Sequence, residues 1–92
     1  MTILEIRDGV LKELALLLSL EGEELQSNST DQSLGDLGVD SLMMLELLMN
    51  VEKRFSIPQS EEELDEEWMS QFQTVDDIIR MVAETHNVPL EN

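Results

Sequence analysis

The chain has 92 residues, enough for one small domain and near the size at which a single core just suffices. Its 21 acidic residues against five basic ones leave a formal net charge of −16, which disfavours phosphate-backbone binding and predicts no nucleic-acid partner. With no cysteine there is no disulfide framework, thiolate nucleophile or cysteine metal site, and with aromatics at 3% any core is built from Leu, Ile, Val and six Met.

Ile3, Ile6, Val10, Leu14 and Leu17, with Leu11 and Leu18 beside them, follow helical spacing and predict an amphipathic helix over about residues 2–19, weakened slightly by Gly9. Glu5, Arg7, Asp8, Lys12 and Glu13 interrupt its apolar run, so it reads neither as a membrane span nor as a signal segment. A soluble, cytoplasmic monomer without membrane insertion is the expectation. Gly22 to Val39 reads as a long ordered loop pinned by Leu25, Leu34 and Leu37, and loops of that length are usually functional or disordered.

A second helix is predicted from about Ser41 to Phe55, capped by Asp40 or Ser41 and stopped before Ile57-Pro58. Ser60 and Glu63 have the spacing of a capping box, predicting a short third helix over about 61–70 anchored by Trp68 and Met69. Thr74 caps a fourth, whose buried face is Val75, Ile78, Ile79 and Val82, with Asp76 and Asp77 set favourably in its first turn. It should fray near His86-Asn87. Three long helices and one short one imply an all-α, four-helix bundle occupying the whole of residues 1–92 as a single domain, with its core at about 3–86.

The second helix has more apolar residues than one buried stripe needs. Leu47, Val51 and Phe55, with Met44 and Leu48, form the wider arc and are assigned to the core. Leu42, Leu45 and Met49 then form a partly exposed strip leading away from Ser41, the pattern of a protein-interaction site, flanked by Glu46 and Glu52 as acidic contacts for a basic partner. The alternative is a helix buried all round.

At the start of that helix, Gly38-Val39-Asp40-Ser41-Leu42 places a serine hydroxyl at the surface beside unpaired backbone N–H groups that favour an anion. The stretch Leu34-Gly-Asp-Leu-Gly-Val-Asp-Ser-Leu-Met-Met-Leu-Glu-Leu, continuing to Phe55-Ser-Ile-Pro58, closely resembles the acyl carrier protein family. The resemblance extends over roughly residues 3–86 and includes Thr74-Val75. It implies that Ser41 is the attachment point of 4′-phosphopantetheine, transferred from coenzyme A by a phosphopantetheinyl transferase that brings its own divalent metal ion. Asp40 would assist recognition by that transferase. The protein would be no enzyme. It would carry acyl groups as thioesters to loading, synthase and acyltransferase enzymes with basic docking surfaces, in a fatty acid, polyketide or lipid-modification pathway. A peptidyl or aminoacyl carrier in non-ribosomal peptide synthesis is the near alternative, and cargo would find shelter between the helices.

Members serving general fatty acid synthesis typically carry an acidic residue directly after the Asp-Ser-Leu leucine and a cluster of acids at the helix end. Here those positions hold Met43, and then Lys53 and Arg54 beside Glu52. The segment between Pro58 and Thr74 is also longer than usual and holds Trp68. Both departures point to a specialised, discrete carrier.

Three other classes fit less well. A hydrolase would need Ser41, a carboxylate and His86, the only histidine, which is expected at a fraying surface terminus. A calcium loop starting at Asp31 would place Asp36 where glycine is required and Leu42 where a bidentate glutamate is required. A plain acidic interaction module would make no use of the Ser41 hydroxyl.

Overall fold

The computed structural model describes residues 1–25, 29–58 and 65–89, with the side chain of Glu66 excepted. Four helices follow one another: α1 (Ile3–Leu20), α2 (Ser41–Arg54), α3 (Glu66–Met69) and α4 (Val75–Thr85). Among the described residues no strand is present, and the one sheet-like contact is an isolated antiparallel bridge between Ser33 and Thr74. The expected four-helix architecture is the one observed.

α1 packs against both α2 and α4. Its buried face is Ile6, Val10, Leu14, Leu17 and Leu18, meeting Leu47, Leu48 and Val51 of α2 and Val75, Ile78 and Val82 of α4. The inner arc assigned to α2 is buried throughout, from Met44 to Phe55. No helix among the described residues is long and apolar enough to cross a membrane.

Gly9 has a packing role as well as a helix-weakening one. A Cβ at that position would stand 2.5 Å from Cζ of Phe55 and 3.0 Å from Cδ of Arg54, so the missing side chain lets the end of α2 approach α1. Arg54 then reaches across to Glu13 at 2.8 Å, fastening the two helices beside that contact.

The helix ends are closed by their own neighbours. Thr2 caps α1 by accepting from the Glu5 N–H, and Thr74 with Asp77 forms a reciprocal capping box on α4. After α2 and α4 the chain turns back through left-handed residues, Ser56 and Asn87, each with φ 55°. The next N–H reaches back in each case, Ile57 to the Glu52 carbonyl and Val88 to the Ala83 carbonyl, both at 2.8 Å.

Three sequence expectations need revision. The third helix is described only over Glu66–Met69, where the Asp65 carboxylate accepts from the Glu67 N–H, while the Ser60–Glu63 box lies outside the described residues. His86 is not a loose surface residue. It is half-buried, and its Nε2 lies 2.6 Å from the Phe55 carbonyl, so it ties the end of α4 to the end of α2. Glu52 does not present its carboxylate on the outer strip: it is 6% exposed, and the chain returning through Ser56 bonds Ile57 N–H to its carbonyl.

Candidate functional site

The loop before α2 is held at both ends. Asp76 N–H donates to the Thr30 carbonyl and Leu34 N–H to the Gln73 carbonyl, at 2.8 and 2.9 Å, so the first loop is stitched to the segment that opens α4. The buried Leu34 side chain plugs it into the core. Its carbonyl then accepts from the N–H groups of Leu37 and Val39, closing a tight turn through Gly38 at φ +91°. An added Cβ on Gly38 would meet nothing within 4 Å, so glycine is required there by backbone conformation and not by space.

That turn delivers Asp40 and Ser41 in order. Asp40 takes the N-cap, its extended backbone leading into the helix while Oδ1 accepts from Met43 N–H at 2.8 Å. Its carbonyl accepts from Met44 N–H, also at 2.8 Å. Ser41 is therefore the first residue of α2, exposed, with its own N–H and that of Leu42 making no hydrogen bond among the described residues. Both N–H groups point out of the helix start, where its dipole favours negative charge.

Beside Ser41 lies a cleft of about 270 Å³ lined by Val39, Asp40, Ser41 and Met44 on one wall and by Met69 and Ser70 on the other. α3 supplies the second wall. Trp68 stacks edge-on against Phe72, ring centroids 5.0 Å apart, and this pair anchors the short helix to the core. Ser70 is fixed by donating from its hydroxyl to the Glu67 carbonyl at 2.7 Å.

Sequence reasoning did not assign Met69 or Ser70 to the surroundings of Ser41, and it placed Met44 wholly in the core. Met44 is buried and yet borders the cleft, one turn along α2 from the serine. That i, i+3 spacing was the available signal.

On the outer side of α2, Leu42 is 67% exposed, Leu45 and Met49 are half-buried and Glu46 is exposed. These residues form the strip foreseen from their spacing, whereas Glu52 is withdrawn from it. Met43, which replaces the expected acid, is buried against the core.

His86 is far from this serine. It is bonded to Phe55 at the opposite end of α2, whose 14 residues correspond to about 20 Å of helix. The histidine expected of a hydrolytic triad is thus engaged elsewhere.

The model of a protein family described as phosphopantetheine attachment site matches residues 8–82, most of the 92-residue chain and all of the site above. The chain belongs to this family. Domains of this kind carry 4′-phosphopantetheine bound covalently, and a carrier role with a transferase and partner enzymes follows for this chain at that level. No curated protein and no solved structure shows a significant match to this carrier domain.

Proposed function

We propose that this carrier domain holds 4′-phosphopantetheine on the Ser41 oxygen and presents acyl groups to successive enzymes of a fatty acid, polyketide or lipid-modification pathway in the cytoplasm, without catalysis of its own. The observation that carries this reading is the family match together with an exposed hydroxyl at the first position of α2.

The surroundings of Ser41 fit such a group. A phosphodiester on its oxygen would meet the N–H groups of Ser41 and Leu42 and the positive end of the α2 dipole. The Asp40 carboxylate, the nearest negative charge in sequence, is engaged with the Met43 N–H. When bound, phosphopantetheine supplies a thiol on a long flexible arm, the chemistry this cysteine-free chain lacks.

This chain's residues position and shield. The turn at Gly38 and the Asp40 cap hold the serine at the surface, where a transferase reaches it. Met44 and Met69, unbranched and adaptable, flank the cleft along which an arm or a short cargo would lie. Leu42, Leu45 and Met49 offer the partner enzymes an apolar contact next to the attachment point. The departures at Met43, Lys53 and Arg54 favour a specialised carrier over the general one of fatty acid synthesis.

The test is acyl loading. Protein incubated with coenzyme A, a phosphopantetheinyl transferase and an acyl-activating enzyme should take up a labelled acyl group that hydroxylamine releases, as expected of a thioester. Ser41→Ala should take up none. Equal labelling of both proteins would contradict the proposal.

A further inference from the structure

We infer that the far end of the α2 strip, a cleft lined by Met49, the buried Glu52, Lys53 and Ile57, is a second docking pole that receives an apolar side chain flanked by a carboxylate on the partner enzyme. The inference rests on the carrier reading above and adds the chemistry of the partner's surface.

The strip does not end at Met49. Lys53 lies one turn further on the same line as Leu42, Leu45 and Met49, and Ile57 closes the end where the chain turns back. Met49, Glu52, Lys53 and Ile57 line a half-open cleft of about 100 Å³, roughly three times the volume of a water molecule and so the space of one aliphatic side chain. Glu52 is 6% exposed and Arg54 is paired with Glu13, so among the described residues the unpaired charge that this end presents outward is the ammonium of Lys53.

Bases are scarce here, five against 21 acids, and the chain spends most of its arginines internally. Arg54 pairs with Glu13 and Arg80 with Asp77, at 2.8 and 3.7 Å. Lys53 is exposed and makes no ion pair among the described residues. An exposed base left over beside an apolar cleft, in so acidic a molecule, is complementary to a carboxylate brought by another protein.

The opposite pole has the opposite sign. Asp36, Asp40 and Glu46 are exposed around Ser41, so the charge along α2 reverses between the serine and Lys53 over about 18 Å. At physiological salt charges are screened beyond about 8 Å, so a partner reads the two poles separately. The net charge of −16 draws basic surfaces from a distance; the local pattern then sets register and rejects enzymes that are basic along the whole contact. Complementing the α2 dipole is the simpler role for Lys53, but that role would not involve a partner or the neighbouring cleft.

The test uses full-length protein carrying the arm, loaded with an octanoyl group and offered to a panel of purified carrier-dependent synthases and acyltransferases. For the enzymes that accept the wild type, Lys53→Glu should lower kcat/KM about tenfold and Lys53→Arg should stay within about twofold of wild type. Met49→Ser should reduce kcat/KM without altering its salt dependence, whereas Lys53→Glu should alter both. Equal rates for Lys53→Glu and wild type, or an equal loss in Lys53→Arg, would overturn the docking pole. An unmodified Ser41 would instead overturn the carrier reading, before docking is measured at all.

Discussion

In α4 the five residues Val75, Ile78, Ile79, Val82 and Ala83 are all buried, Met81 is half-buried, and the rest of the helix is polar. α2 buries a comparable arc, Met43, Met44, Leu47, Leu48 and Val51, but leaves Leu42 exposed and Leu45 and Met49 half-exposed on the other side. α4 is a structural helix whose apolar residues match the core it faces. α2 has a core face and a second, outward one, and the second begins at Ser41. α2 thus carries apolar residues in excess of its buried arc, and the proposed contact with partner enzymes uses that excess.

Truncation on the two faces should separate these roles most strongly. Ile78→Ala and Leu47→Ala, both at fully buried positions, should each cost about 2–5 kcal/mol in urea unfolding. Leu42→Ala should change stability by less than about 0.5 kcal/mol while slowing acyl transfer to partner enzymes. Comparable destabilisation by Leu42→Ala would erase the distinction.

The next largest effect concerns how α2 is seated. Gly9→Ala puts a methyl into the Phe55 ring and should cost about 1–3 kcal/mol, read from the same unfolding curves. Phe55→Leu should recover part of that loss by vacating the space, which a simple helix-propensity effect at Gly9 would not allow.

Smaller effects belong to the caps. Asp40→Ala on α2 and Thr74→Ala on α4 should each cost about 1 kcal/mol. Asp77 adds a pH dependence. Burial pushes the Asp77 carboxyl up, but hydrogen bonds from the Gln73 and Thr74 N–H groups and the Thr74 hydroxyl, together with Arg80, outweigh it and hold it below the ordinary 3.8. A depressed carboxyl favours the folded state above its unfolded value. That contribution should be complete above about pH 5 and disappear as pH falls through the folded value. Asp77→Asn should therefore be less stable than wild type at pH 7 and converge on it in acid.

Much of this was readable from residue order alone. The apolar periodicities of α1 and α4, the Thr74 cap and the surplus of apolar residues on α2 each report local geometry. What escaped depends on contacts between distant segments. Glu52 is buried where the chain turns back, Ser56 taking a left-handed conformation that bonds Ile57 N–H to the Glu52 carbonyl, and a serine gives no sign of that conformation. His86 meets Phe55 across 31 residues, and Gly9 meets the same phenylalanine from α1. Met69 and Ser70 join Val39, Asp40, Ser41 and Met44 around one cleft, a meeting of segments far apart in the chain that residue order does not report. The placement of Ser41 at the start of α2 was legible because its loop, cap and following helix are contiguous.

Intact-mass measurement after incubation with coenzyme A, magnesium and a broad-specificity phosphopantetheinyl transferase tests the central claim most directly. Wild type should gain one phosphopantetheine, mapped to the peptide containing Ser41, and Ser41→Ala should gain none while unfolding at the same temperature. A wild-type protein that stays unmodified, or an adduct retained by Ser41→Ala, would contradict the account.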